Sequence, residues 1–169
     1  MTSKQENLLD WLRDAHAMEQ QAEQMLKGQA ARLEHYPQLK TRIEQHIEET
    51  RGQQRLLEEC LERLDSSPST LKDMGAKLMA FGQAVAGMTV SDEVVKGAMS
   101  GYVFENMEIA AYTVLIAAAR EVGDSETLAA LERILPQEEA MADWLREHLP
   151  ELTRAFLARD CQPDTEAKR

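Results

Sequence analysis

The sequence predicts an all-α fold: a four-helix bundle with a long crossover that contains a short extra helix. Two observations predict it. The eight glycines and five prolines are concentrated where helices would end, and between those breaks apolar residues recur at the three-to-four-residue spacing of an amphipathic helix. No stretch alternates apolar and polar residues for long enough to indicate a strand. A bundle is therefore expected over residues 1–160, followed by a polar tail over 161–169.

The first helix is predicted from about Lys4 to about Glu34, where a turn before Pro37 ends it. Its apolar face is interrupted at one position, which is occupied by Glu19. The apolar residues that flank this position are Leu12, Ala15, Ala22 and Leu26. Because residues three and four apart share a helix face, Glu19 is expected on the buried side.

The second helix is predicted from about Gln38 to about Leu64, ending at residues 65–68, and a short third helix over 70–86 follows it. The face of the second helix is polar at three consecutive positions in its middle, and Glu49 lies beside them. The residues on this face are Leu39, Ile43, His46, Thr50, Gln53 and Leu57.

The fourth helix is predicted to begin with Ser91 as its N-cap, followed by acidic residues, and to end near Gly123. Two acidic residues, Glu105 and Glu108, lie on its otherwise apolar face. The rest of that face consists of Ala98, Gly101, Tyr112, Leu115 and Ala119. We expect Tyr112 to pack in the core, with a hydrogen bond to a neighbouring carboxylate as the alternative.

The fifth helix is predicted to begin after Ser125 as its N-cap, and Glu138 is the only acidic residue on its apolar face. The other residues of that face are Leu128, Leu131, Leu135, Ala142, Leu145 and Leu149. In each hairpin, the polar position of one long helix is separated along the chain from that of the other by a similar number of residues, which resembles an internal repeat. Antiparallel hairpins would bring them level and produce one carboxylate-rich layer between apolar layers.

The net charge of -11, from 30 acidic and 19 basic residues, opposes binding to phosphate backbones and anionic lipids. No apolar run approaches the roughly 18 residues of a membrane span, and the first residues lack the apolar core of a secretory signal. Cys60 and Cys161 have neither metal-binding nor disulfide-framework spacing, so we expect reduced thiols. These features predict a cytoplasmic protein that binds neither nucleic acid nor membrane.

Several buried carboxylates in one layer require compensation, because each ionised group costs several kcal/mol to bury without a partner. Protonation would compensate in part, and a cationic side chain such as Arg51 would neutralise one carboxylate. Two metal ions would compensate more fully. Carboxylates with a little imidazole suit iron and manganese, and bridging glutamates hold two such ions in four-helix bundles.

Four stretches resemble the ferritin-like superfamily, and within it the YciE/YciF group of bacterial stress-associated proteins, on the YciE side. They are DWLRDAHAMEQQAEQML, RIEQHIEETRGQ, SDEVVKGAMSGYVFENMEIAAYTVL and EEAMADWL. The superfamily pattern is a glutamate on the first and third bundle helices and Glu-x-x-His on the second and fourth. The resemblance implies Glu19, Glu105 and Glu138 as ligands, with Glu108 as a second acid in the manner of rubrerythrin.

This chain departs from that pattern at two histidine positions, which Arg51 and Met141 occupy. His46 lies three residues before Glu49, so a reversed His-x-x-Glu pair is available, and the polar face favours this pair over Glu48 and Arg51. The expected ligands for two iron or manganese ions are Glu19, His46, Glu49, Glu105, Glu108 and Glu138. The other three histidines, His16, His35 and His148, are expected to face solvent.

The leading functional hypothesis is a dimetal stress-response protein whose ions react with oxygen or peroxide. The first alternative is a non-catalytic helical stress protein that has lost the metal and whose polar layer is held by Arg51 and carboxylates. The second is iron storage, which requires a closed shell of many subunits. We expect a homodimer rather than such a shell.

Overall fold

The computed structural model describes residues 2–64 and 91–162, which form four long helices. Helix α1 spans Lys4–Ala30 and α2 spans Pro37–Arg63. Helix α3 spans Glu93–Val122 and α4 spans Ser125–Asp160. The all-α prediction is confirmed, and the described parts contain no strand. The extra helix expected over 70–86 and the end of the expected tail, 163–169, lie outside the described residues.

Local sequence explains most of the helix ends. Ser3 caps α1 in a reciprocal capping box with Glu6, and Pro37 occupies the first turn of α2, where a missing N–H costs nothing. Gly123 ends α3 with a φ of 80°, a left-handed conformation that favours glycine. Helix α1 ends at Ala30, about one turn before the predicted end at Glu34.

The sequence-based expectations for two N-cap residues, and for the positions of the glycines, are wrong. Asp124 rather than Ser125 caps α4, since the Asp124 side chain accepts a hydrogen bond from the Thr127 backbone N–H, and Asp92 rather than Ser91 is the N-cap residue of α3. Only one of the glycines that the structure describes lies at a helix end. The other four, Gly28, Gly52, Gly97 and Gly101, lie inside helices.

The helices pack as a four-helix bundle in which α1 contacts α2 and α3, and α4 contacts α2 and α3. Lys4 at the start of α1 pairs with Glu121 near the end of α3, at 3.0 Å. At the other end of α1, Arg32 donates a hydrogen bond of 2.6 Å to Glu93, the first residue of α3. These two contacts show that α1 and α3 run antiparallel.

Arg63, the last residue of α2, donates a hydrogen bond of 2.6 Å to Asp124, which lies between α3 and α4. The end of α2 therefore lies beside the end of α3, so these two helices run parallel. The end of α2 and the start of α3 consequently lie at opposite ends of the bundle, as the predicted long crossover requires.

Two hydrophobic clusters fill the bundle, one towards each end. One contains Leu8, Leu12, Leu57, Leu131 and Ile134, and the other contains Leu26, Leu39, Ile43, Val94 and Leu145, among others. Along α4 the first cluster ends at Ile134 and the second begins at Met141, which leaves Glu138 between them. Of the helices that the structure describes, none has a stretch long and apolar enough to cross a membrane.

Candidate metal centre

Five ionisable side chains from all four helices meet between the two hydrophobic clusters. None of them exposes more than 3% of its surface. We call this group the carboxylate cluster, and its members are Glu19 of α1, His46 of α2, Glu105 and Glu108 of α3, and Glu138 of α4. Helical periodicity explains why they are buried, because each lies on the face that the flanking apolar residues direct into the bundle.

His46 connects the cluster to the surface of α2. Its Nδ1 lies 2.7 Å from Glu49 Oε2 on the outer side. Its Nε2 points inwards and lies 3.2 Å from Glu105 Oε2 and 3.5 Å from Glu138 Oε2, which are ion-pair distances. Burial lowers the pKa of His46, but the carboxylates of Glu105, Glu138 and Glu49 outweigh burial and hold it well above its ordinary value.

Glu138 is the central member of the cluster. It interacts electrostatically with Glu19, Glu105 and Glu108 as well as with His46. Its Oε1 accepts a hydrogen bond from the Gln53 side-chain amide, which also donates to Gln137 Oε1 at 2.9 Å. A carboxylate that faces all of its acidic neighbours is well placed to be shared between two ions.

The side of the cluster nearest α1 contains Glu19 and Glu108, both fully buried. Tyr112 packs in the core as expected, and its hydroxyl also donates a hydrogen bond to Glu19 Oε1, so both expectations for this tyrosine are confirmed. Neither oxygen of Glu108 has a hydrogen-bond partner among the described residues. Glu108 is thus a buried acid whose two oxygens remain available to a ligand.

Burial raises the carboxyl pKa values of Glu19, Glu105 and Glu108 above the ordinary 4.5. The pKa of Glu105 rises to about 7, although His46 opposes the shift. Burial, together with the charge of Glu138, raises the pKa of Glu19 well above its usual range, and burial together with the charge of Glu19 does the same for Glu108. Crowded acids in a dry environment hold protons because the ionised forms lack a compensating charge.

The donor set fits metal ions. One atom each from His46, Glu105 and Glu138 lie within 4.8 Å of one another, a spacing that one ion could bridge. Among the described residues, Glu19 Oε2 and both oxygens of Glu108 are buried without a hydrogen-bond partner, and Glu105 Oε2 and Glu138 Oε2 have only their ion-pair contacts with His46 Nε2. Orphaned carboxylate oxygens beside one imidazole are the ligand type of iron and manganese sites.

The structure brings together five of the six predicted ligands. Glu49 lies beside them with a side chain that is 21% exposed, and it contacts His46 Nδ1 and Arg42 rather than the interior of the cluster. Its direct coordination of an ion stays a prediction. Gln53 was not among the predicted site residues, although its place in the polar stretch of α2 was the available signal.

Arg51 does not take part in the carboxylate cluster. Its guanidinium is 39% exposed and pairs with Glu23 at 2.9 Å and with Glu48 on the surface. The Arg–carboxylate network that the non-catalytic alternative places in the polar layer is therefore absent among the described residues. Among the described residues, the buried polar layer has a single basic side chain, that of His46.

One histidine expectation is wrong, one is confirmed and the third is intermediate. His16 is buried, with Nε2 at 2.9 Å from Glu58 Oε1, so it does not face solvent. His35 is exposed, and His148 is partly buried and stacks on Trp144 at a centroid distance of 3.9 Å. Helix packing against α2 covers His16, which the local pattern of α1 alone could not indicate.

Comparison with known proteins gives a consistent picture. A family model described as a domain of unknown function, DUF892, matches residues 3–158. A Xanthomonas campestris protein of known crystal structure is 42% identical, with a TM-score of 0.80, and the match covers 95% of this chain and 100% of that chain. The Escherichia coli stress protein YciF is 20% identical, with a TM-score of 0.75, and the match covers 89% of this chain and 97% of that chain.

The chain belongs to the DUF892 family. The likeness to YciF, at its low identity, is a likeness of fold, and it agrees with the predicted four-helix bundle and with the resemblance to the YciE/YciF group.

Proposed function

We propose that this member of the DUF892 family is a carboxylate-bridged dimetal protein whose iron or manganese ions react with oxygen or peroxide. The observation that carries the proposal is the set of buried carboxylate oxygens without hydrogen-bond partners in the described part of the bundle. A core that evolved only for packing would satisfy or remove such groups, because each costs free energy when it is left unpartnered. Two cations would compensate the negative charge of four carboxylates, which one histidine cannot do.

We assign His46, Glu105 and Glu138 to one ion, since their donor atoms already converge. Glu19 and Glu108 are the carboxylates available to a second ion, and Glu138 interacts with both. Because of its central place, Glu138 would be available to both ions. Iron or manganese in such a site supplies redox chemistry towards oxygen or peroxide that the amino-acid side chains alone lack.

The protein's own contribution is to orient these ligands. Glu49 accepts a hydrogen bond from His46 Nδ1, which would leave Nε2 free to bind an ion in the neutral imidazole. Gln53 orients Glu138, and Tyr112 orients Glu19. The hydrophobic clusters at either end limit access of water to the centre.

Four finer assignments belong to the same proposal: the YciE branch, a role in stress, a cytoplasmic location and a homodimer. The sequence resemblance supports the first two, and the stress role also agrees with the name of the Escherichia coli stress protein YciF, which has the same fold. The composition supports the third. Sedimentation analysis of the purified protein tests the homodimer, which a monomer or a many-subunit shell would contradict.

The experiment that tests the metal proposal is elemental analysis of protein purified without chelators and then supplied anaerobically with iron or manganese. We expect about two ions per chain in the wild type. A Glu105→Gln/Glu138→Gln variant should lose them. The matched control is Glu121→Gln/Glu139→Gln, which replaces two exposed glutamates of the same helices and should retain the metal.

Retention of metal would justify measuring oxygen and peroxide consumption by the loaded protein. A wild type that takes up neither iron nor manganese would overturn the proposal and leave a structural bundle. Equal metal loss in both double variants would also contradict it, because the exposed pair lies outside the carboxylate cluster.

A further inference from the structure

A cavity of about 190 Å³ lies between α1 and α3 and reaches the carboxylate cluster at Glu105. Its lining includes the exposed residues Gln24 and Gly28, as well as the charged residues Arg32, Glu93 and Lys96 near the end of α1 and the start of α3. The cavity therefore connects the surface of the bundle with one member of the buried centre.

Apolar and small residues form most of the cavity wall. Ala22, Met25, Leu26 and Phe104 contribute the apolar surface. Gly97 and Gly101 of α3 also line the cavity. A Cβ at Gly97 would lie 3.1 Å from Gln29 Nε2, so glycine there permits the Gln29 amide to pack closely against α3.

The charged side chains of the lining are paired with carboxylates. Arg32 donates a hydrogen bond of 2.6 Å to Glu93, and Lys96 Nζ lies 2.9 Å from Asp92 Oδ1. Because each basic side chain is balanced by one acid, this part of the lining has no net charge and gives no preference to a charged ligand.

Three buried polar atoms of the lining residues lack a hydrogen-bond partner within the described ranges: Gln29 Nε2, Arg32 Nε and Glu105 Oε2. Arg32 Nε forms an ion pair with Glu93, and Glu105 Oε2 forms one with His46, so Gln29 Nε2 is the atom of the three without a charged partner. Glu105 is 97% buried, since its exposed fraction is 3%. An unpartnered amide donor near the outer part of an apolar cavity suits a ligand that carries one acceptor oxygen. The Glu105 oxygen marks the inner end, where the cavity meets the proposed ions.

We propose that this cavity binds a small neutral organic molecule with an apolar body and one hydrogen-bond acceptor, of the phenol, alcohol or ketone class. The volume is adequate, because a dry cavity of about 150 Å³ holds benzene. Binding itself is independent of metal, whereas the role of this molecule as a substrate of the metal centre rests on the proposed function.

Methyl NMR of the full-length, metal-free protein tests the binding, with phenol as the probe and benzoate as its charged counterpart. Phenol should shift the methyl signals of Met25 and Leu26 in a saturable manner. Benzoate should bind at least about tenfold more weakly, because its carboxylate would have to be buried near Glu105.

Gly101→Leu should weaken phenol binding by about tenfold or more, because the added side chain occupies the cavity. A Cβ at Gly101 would lie 3.5 Å from Leu145 Cδ1, an ordinary contact, and circular dichroism of the variant checks that the longer side chain leaves the bundle folded. The matched control is Gly52→Leu, which makes the same change inside α2 and away from this cavity. Gln29→Leu provides a second variant, and it should reduce the affinity for phenol to that for benzene.

The cavity proposal is overturned if phenol leaves the Met25 and Leu26 signals unchanged, or if the Gly101→Leu and Gly52→Leu proteins bind phenol equally. Benzoate binding as tight as phenol binding would contradict the proposal that the ligand is neutral. Equal affinity of the Gln29→Leu protein and the wild type for phenol would contradict the proposed hydrogen bond from Gln29 to the acceptor oxygen of the ligand. Since no metal is present in these measurements, their outcome is separate from that of the metal analysis.

Discussion

The hydroxyl of Tyr112 on α3 donates a hydrogen bond to the carboxylate of Glu19 on α1, and both side chains are completely buried. Glu19 Oε2 has no hydrogen-bond partner among the described residues. Tyr112 is therefore the side chain that satisfies half of this carboxylate and fixes its orientation towards the rest of the carboxylate cluster.

Tyr112→Phe should destabilise the metal-free protein by about 1–3 kcal/mol, because it leaves both oxygens of a buried carboxyl group unpartnered. Urea unfolding in the presence of a chelator measures the change. Tyr102→Phe, at a partly exposed position of the same helix, is the control and should have little effect. Equal stabilities of the two variants would show that the Tyr112 hydroxyl contributes nothing.

Glu108→Gln should have opposite effects on stability and on metal binding. It removes a buried acid whose pKa is raised by burial and by Glu19, so the metal-free protein should gain on the order of 1 kcal/mol at pH 8. It should also bind less metal. The control is Glu121→Gln, an exposed acid of the same helix. A loss of stability without loss of metal would contradict the assigned role.

The metal-free protein should become less stable as the pH rises from about 5 to about 8. Glu105 titrates at about 7 in the folded protein against 4.5 ordinarily, and the pKa values of Glu19 and Glu108 are also raised by burial. A raised folded pKa contributes stability that is full below the unfolded pKa and is lost as the pH rises through the folded pKa. His46, whose pKa is raised by its three carboxylate neighbours, acts in the same direction.

Urea unfolding at several pH values in a chelating buffer measures this dependence. The pKa of Glu23 falls to about 2 beside Lys27, so this group makes stability rise with pH. Its contribution changes only below its ordinary pKa of 4.5, which is outside the range from pH 5 to 8. Addition of metal should restore stability most at high pH, because the ligands must lose protons to bind. A stability that rises between pH 5 and 8 without metal would contradict the raised carboxyl pKa values.

Glu49→Ala should weaken metal binding by about 10–100-fold if Glu49 only orients His46. His46→Ala should cost more, since it removes the imidazole that faces Glu105 and Glu138. Glu48→Ala, at a neighbouring surface position, is the control and also tests the alternative second-helix ligand. Isothermal titration with manganese distinguishes the cases. Loss of a whole ion in Glu49→Ala would make Glu49 a ligand.

Arg51→Met should change the free energy of unfolding by less than about 1 kcal/mol, as is usual for surface ion pairs. Metal content should stay unchanged. The Arg–carboxylate alternative requires instead a loss of about 3–5 kcal/mol, because it leaves buried charges uncompensated. Chemical unfolding of the metal-free protein separates these outcomes, with Arg146→Met as a control for loss of another surface ion pair.

The local pattern predicted the four long helices and most of the buried acids. Glu19, Glu105, Glu108 and Glu138 each interrupt an apolar face, and helical periodicity needs no knowledge of other helices to place them inwards. Helix ends were less predictable. Asp124 competes with Ser125 as the cap, and glycines such as Gly97 serve close packing between helices rather than termination.

Helical periodicity and hairpin lengths placed the acids in one layer and offered a carboxylate as an alternative partner for Tyr112. They did not indicate that His46 meets Glu105 and Glu138, that the carboxylate beside Tyr112 is Glu19, or that a cavity lies between α1 and α3. These relations depend on the rotation and register of helices that are far apart in sequence. The sequence by itself determined which face of each helix is buried, because that property repeats every turn. Packing between helices determined the partners across the bundle, because only it fixes the relative positions of those faces.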